Sequence, residues 1–163
     1  MPWRDPSVPP RLGHDPRLAR ASFRYSAGMD ECLFCKVASG ELEANLVHES
    51  AAAVAFLDRY PSVRGHTLVI PRHHAPTLLD LPDEHIDGLF RAVKEVQAKV
   101  SRALQPVAFN IGWNHGRAAG QHVFHLHVHL LPRYSAGGHG VQVLGEGAGR
   151  LDLAAVAEAI RAA

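Results

Sequence analysis

The chain has 163 residues, is 47% apolar and carries 17 basic against 16 acidic side chains, enough for one domain that buries about 70% of the surface its unfolded form exposes. No apolar run approaches the roughly 18 residues of a spanning helix, so no membrane partner is expected, and a formal charge of +1 argues against a protein that coats nucleic acid. The two cysteines, Cys32 and Cys35, stand as C-x-x-C, a spacing that reads as metal or redox chemistry in a reducing compartment, here the cytoplasm, and not as a disulfide scaffold.

Residues 1–28 hold five prolines and five arginines without a sustained apolar period, the composition of a disordered arm with no apolar segment for a secretory signal. Residues 29–163 then read as a single domain. Ala52–Asp58 and His66–Arg72 are short apolar runs separated by Tyr60-Pro61-Ser62 and Gly65, which predicts two strands joined by a turn. Asp80-Leu81-Pro82-Asp83 predicts a helix start with Asp80 as N-cap. The helix would bury Ile86, Leu89, Phe90, Val93, Val96, Val100 and Leu104, at steps of three and four, and stop at Pro106. Val107–Trp113 and Val123–Leu131 are the next strands, and six glycines between Gly137 and Gly149 mark a flexible connector. Asp152 would cap a short terminal helix with Leu153, Val156 and Ile160 inward. Strands on both sides of one long helix, with short links between the early strands, favour an antiparallel α+β fold over a doubly wound sheet.

Histidine is the anomaly. The chain has twelve, six of them between His115 and His139. Within a strand expected over Val123–Leu131, apolar and polar residues alternate from Phe124 to Leu130, the pattern of a strand with two unlike faces. Phe124, Leu126, Val128 and Leu130 would face the core, and His125, His127 and His129 the exposed side. Neighbours on that side stand roughly 6.6 Å apart and the outer two roughly 13 Å, too far for all three to converge on one ion from a straight strand. Between Glu95 and Glu146 there is no acidic residue, whereas Lys99, Arg102, Arg117 and Arg133 are positive. Imidazoles in a carboxylate-free stretch suit an anion, and a phosphate ester or anhydride matches their dual ability as nucleophile and proton carrier near pH 7. Asn114, Gly116, Gly120 and Gln121, just upstream, offer amides and backbone for phosphate oxygens.

His125-Leu126-His127-Val128-His129-Leu130-Leu131 resembles the motif of the histidine triad family, His-φ-His-φ-His-φ-φ with φ apolar. Ala119-Gly120-Gln121 before it and Pro132-Arg133 after it reinforce the likeness. So do Cys32 to Lys36, Gly40-Glu41-Leu42, Ala55-Phe56-Leu57-Asp58 and Gly65 to Arg72, in the same order. The resemblance implies a HIT-like antiparallel sheet and a nucleotidyl hydrolase or transferase that cleaves a P–N or P–O–P bond at the α-phosphate of a purine nucleotide. His127 would carry the nucleotide covalently, with His129 and Gln121 meeting phosphoryl oxygens or the leaving group. It further implies that Asn114 contacts phosphate or ribose, His122 stands on the phosphate side, Asp58 accepts from ribose hydroxyls, and Phe34, Leu42, Phe56 and Leu57 wall the base, although ordinary core packing suits those four equally well. Dinucleoside polyphosphate cleavage, or nucleotide binding with little turnover, are the alternatives. A hydroxyl residue commonly follows the glutamine in this family; here His122 does, and Glu43 stands where proline is common.

By spacing alone Cys32 and Cys35 supply half of a tetrahedral site; a reduced metal-free pair and a redox pair are the other readings. Resemblance to zinc-containing members completes the set with His74 and His125, making the zinc structural and leaving His127 and His129 for chemistry. The family likeness also implies a homodimer with a sheet continuous across the interface.

Overall fold

The computed structural model describes residues 32–135 and 151–163. The expected arm over 1–28 and the glycine-rich connector lie outside them. The elements run α1 (Leu33–Ser39), β1 (Leu46–Glu49), β2 (Ala53–Leu57), β3 (Thr67–Pro71), α2 (Asp83–Leu104), β4 (Ala108–Gly112), β5 (Val128–Arg133) and α3 (Leu153–Arg161). The strands form one antiparallel sheet in the order β1-β2-β3-β5-β4. The α+β reading holds.

Every residue of β2 and β3 is buried, because both faces of the sheet are covered. Ala53, Ala55, Leu57, Val69, Val128 and Leu130 pack on one face against Leu89, Val93, Val96 and Val100 of α2 and Val156 and Ile160 of α3. Val54, Phe56, Leu68 and Ile70, the alternate residues of the same strands, pack on the other face against Cys32, Phe34, Val37 and Ala38. The period of two thus divides one sheet between two separate apolar clusters. Burying a Val, Leu, Ile or Phe side chain contributes about 1.5–3 kcal/mol, so the larger cluster under α2 and α3 is the main source of stability, and the smaller one seats α1.

The long helix keeps its expected stripe except at the ends of the pattern: Ile86 is partly buried and Phe90 is exposed, its ring 6.1 Å from that of Trp113. Its start differs from expectation. Asp80 closes a capping box with Thr77 around a 3-10 turn at Leu78–Asp80, and α2 begins only at Asp83 with Pro82 in the cap position. Proline lacks an N–H and so breaks the register between the two turns. Asp152 caps α3 as expected, accepting from the Ala155 N–H at 3.0 Å.

Two expectations about the histidine segment are corrected. The ladder of β5 begins at Val128, not Val123: β3 pairs with it only as far as Val69, although β3 itself runs on through Ile70 to Pro71, and Leu126 N–H donates instead to the Ala75 carbonyl of the following loop. Only His129 therefore lies in a strand. The histidine side is also not exposed: His125, His127 and His129 are 0%, 7% and 3% accessible, since α1 and its cluster lie over that face.

Candidate active site and metal centre

Two adjoining sites occupy the α1 side of the sheet. At the first, Cys35 Sγ lies 3.2 Å from His74 Nδ1 and 3.5 Å from His125 Nδ1, and Cys32 Sγ is 3.6 Å from His125 Nδ1. One donor atom from each of the four residues falls within 4.8 Å of every other. Zinc bonds of 2.0–2.3 Å in a tetrahedron set neighbouring donors about 3.3–3.8 Å apart, so this cluster fits a closed four-coordinate site. The protonation pattern fits as well. His125 Nε2–H donates to the Pro71 carbonyl at 2.8 Å, which leaves the Nδ1 lone pair directed at the sulfurs, the outer-shell arrangement typical of a ligating histidine. Burial pushes the His125 pKa down to about 4 and lowers that of His74, keeping both neutral. Burial, with Cys32 beside it, pushes the Cys35 thiol up to about 12, so a cation is what would draw that thiol into thiolate form.

The second site is a cavity of about 610 Å³. Its wall combines apolar Leu33, Phe34, Val37, Leu42, Ala44, Phe56, Leu57 and Leu68 with Asn114, Gly120, His122, His127 and His129, and with Asp58, Arg59, Tyr60, Glu43 and Asn45. That volume falls within the 300–1,000 Å³ range of small-molecule sites, and a wall that joins apolar side chains to polar groups suits a nucleotide.

Hydrogen bonds fix the tautomers. His127 Nδ1–H donates to the His125 carbonyl at 2.7 Å, leaving its Nε2 lone pair free. Ser62 N–H donates to His66 Nδ1 at 3.3 Å, so neutral His66 carries its proton on Nε2 and donates to His129 Nδ1 at 3.0 Å. His129 then carries its proton on Nε2, a buried atom without a partner among the described residues. Such a donor costs about 1–3 kcal/mol, a cost that an oxygen placed in the cavity would relieve. All three imidazoles are held neutral, chiefly by burial: the pKa of His127 and of His66 is lowered and that of His129 is pushed down to about 3.

The structure brings together most of the residues read from the sequence. Asn114, Asp58, His122, Phe34, Leu42, Phe56, Leu57, His127 and His129 all line the cavity, whereas Gln121 does not. It is 2% accessible, its Nε2 donates to the Pro76 and Val123 carbonyls at 2.7 and 3.1 Å, and its Oε1 accepts from Gly116 N–H at 2.8 Å. With its amide so engaged, Gln121 braces the loop. The site is also not free of carboxylates. Asp58 Oδ2 comes within 3.7 Å of His66 Nδ1, delivered by the end of β2 and invisible to an argument about charge along the chain. His66 itself was missed; its signal is a polar residue opening an otherwise fully buried apolar strand. Leu33 and Val37 were missed too, although with Phe34 they form one helical face.

A HIT-domain family model matches residues 39–136, and the chain belongs to the histidine triad family. An adenosine 5′-monophosphoramidase of Schizosaccharomyces pombe is 39% identical over 102 residues, 63% of this chain and 74% of that protein. An adenylylsulfatase of Arabidopsis thaliana is 31% identical over 132 residues, 81% of this chain and 67% of its own. Among solved structures, a zinc-bound histidine triad family protein from Mycobacterium smegmatis superposes with a TM-score of 0.70 at 32% identity, covering 83% of this chain and 94% of that one.

Proposed function

We propose that the protein is a nucleotidyl hydrolase that cleaves a P–N or P–O–P bond at the α-phosphate of a purine nucleotide through a covalent intermediate on His127. The observation that carries this reading is the tautomer pattern: a free Nε2 lone pair on His127 stands beside an Nε2–H on His129, both on the polar wall of a nucleotide-sized cavity. The base would pack among Phe34, Leu42, Phe56 and Leu57, Asp58 would accept from ribose hydroxyls, and Asn114 and His122 would face the phosphates.

An anionic phosphate against His129 offsets the burial that keeps it neutral and favours its imidazolium. One proton is taken up from solvent: the His66 Nε2 proton passes to His129 Nδ1, and His66 gains the new proton on Nδ1, where the Asp58 carboxylate replaces the Ser62 N–H as its partner. In the first step His127 Nε2 forms a bond to phosphorus, the bond to the leaving group breaks, and the departing atom takes the Nε2 proton of His129. In the second, water attacks phosphorus, its proton returns to His129 Nε2, and the P–N bond to His127 breaks to release the mononucleotide. One hard displacement becomes two easier ones. The positive charge on the nucleotidylated imidazole is met by the His125 carbonyl. Cys32, Cys35, His74 and His125 would hold a structural zinc, a reading supported by the donor geometry and by the zinc-bound relative; bound there, the ion supplies a fixed cross-link and no substrate chemistry. The unpaired cysteines accord with a reducing, cytoplasmic setting.

The test is His127→Ala with adenosine phosphoramidate as substrate. Turnover is expected to fall by about 10³-fold or more while the melting temperature and AMP affinity stay close to wild type, and wild-type protein quenched in turnover is expected to carry a nucleotide mass on the peptide containing His127. Unchanged activity, or no adduct under single-turnover conditions, would remove His127 from the chemistry. The leaving group is read from the ratio of kcat/KM for adenosine phosphoramidate and diadenosine polyphosphate.

A further inference from the structure

We infer that Phe34 is a positioning residue that couples the four-residue metal centre to the nucleotide cavity, so that metal and nucleotide bind cooperatively. The inference rests on the nucleotide reading above and deepens it. Among the described residues, α1 has seven residues and no side-chain cap at Cys32. A helix that short does not persist alone, so contacts made elsewhere must hold it. These are its apolar cluster on the sheet, the bond from the Arg72 guanidinium to the Ala38 carbonyl, and the two cysteines at its start.

The same turn serves both sites. Cys32 and Cys35 face His74 and His125, while Leu33, Phe34 and Val37 wall the cavity. Phe34, between the cysteines, sets its ring edge-on to Phe56 at 5.4 Å, to His127 at 5.2 Å and to His125 at 6.2 Å. The nucleophilic ring is thus oriented by two groups that both belong to the metal centre's own segments. One is the His125 carbonyl that receives its Nδ1–H; the other is the Phe34 ring that stands against its edge. A metal that fixes the first turn of α1 fixes the wall on which a base would stack. A ligand stacked on that wall in turn holds the cysteines where the metal needs them. The ordering of one short helix is common to both events, so whichever ligand arrives second finds it already done. Reciprocity requires that the two affinities change by the same factor.

The experiment measures AMP affinity by calorimetry on the zinc-loaded and the zinc-stripped full chain. Zinc release from the loaded protein to a chromophoric chelator is followed with and without AMP. AMP is expected to bind about tenfold more tightly to the loaded form and to slow zinc loss severalfold. Phe34→Leu keeps the four donors and an apolar side chain; its zinc is expected to stay bound, but AMP should leave the release rate nearly unchanged, and its KM should rise more than its kcat falls. Equal AMP affinity in loaded and stripped wild-type protein overturns the coupling. Should the stripped chain lose its far-UV circular dichroism, the release experiment decides: AMP slowing zinc loss as much in Phe34→Leu as in wild type overturns the role of Phe34. Failure of AMP to bind either form sinks the nucleotide reading itself, a different outcome from binding both forms alike.

Discussion

His129 and His66 illustrate how burial sets chemistry one residue at a time. His129 has its pKa pushed down to about 3, first by burial and then by the neighbouring His127 and His66. That of His66 is lowered by burial more than Asp58 raises it. In an unfolded chain each would titrate near 6.5. Below that pH the unfolded state binds protons that the folded state refuses, so stability must rise with pH through this window. The contribution is complete above about pH 6.5 and is lost progressively as pH falls toward the folded values. For His129 the loss is about 1.4 kcal/mol per pH unit, roughly 2 kcal/mol by pH 5, and His66 shifts stability in the same direction. Urea midpoints measured from pH 7.5 to 4.5 should therefore hold steady and then drop below about 6.5, with a shallower drop in His129→Gln. A flat profile would mean that these rings are charged in the folded protein. At this scale the sequence announces His127 and His129 through alternation, because a strand's period projects each side chain to a known side. It does not announce that Gln121 spends its amide on Pro76, Val123 and Gly116, or that Asp58 reaches His66, since those are contacts between segments distant in the chain.

Elements place these residues, and the link from β2 to β3 shows how tightly. It closes with Asp58 N–H donating to the His66 carbonyl at 3.0 Å, next to Gly65 at φ +81°. A Cβ on Gly65 would collide with the Leu104 side chain at the end of α2 and come within 3.3 Å of Pro132. The left-handed backbone costs a residue with a side chain about 1–2 kcal/mol, and overpacking typically adds about 1–3. Gly65→Ala should then lower the melting temperature by about 10 °C and, because His66 follows directly, reduce turnover as well; an unchanged melt would show that the turn has room to relax. Apolar runs bounded by turn residues make β2 and β3 legible, and a regular buried face makes α2 and α3 so. α1 and β1 escape both. Seven and four residues are too few to display a period, and both are held by packing. The early start assigned to the histidine strand has a similar origin. Alternation reports the two sides of an extended segment, but it cannot report where that segment parts from its neighbour, as it does before Val128 when Leu126 N–H turns to the Ala75 carbonyl.

The two edges of the whole sheet are treated differently. At β1 the outer edge is attended by α3, whose Arg161 donates to the Leu46 carbonyl at 2.6 Å. Among the described residues β4 pairs only with β5, so within them its other edge offers N–H and C=O groups as a template for another strand. Around it Val107 is 72% accessible, Ile111 37% and Trp113 36%, with Phe90 of α2 beside Trp113. An apolar strip along an open strand edge is self-complementary about a two-fold axis, the commonest symmetry of soluble oligomers. We therefore expect two copies of the 17.7 kDa chain to join β4 to β4 in one continuous sheet. Ile111→Glu would set like charges across the axis at a position already solvent-accessible in one copy, so the fold should survive while association fails. Sedimentation equilibrium should give the mass of two chains for the wild type and of one for the variant, with circular dichroism unchanged. The consequence reaches the cavity, because Asn114 and Gly120 on its wall lie in the loop that leaves β4; freeing that strand should raise KM for adenosine phosphoramidate severalfold. A wild-type mass of one chain at micromolar concentration, or a variant that still associates, would show that the open edge of β4 is not where the copies meet.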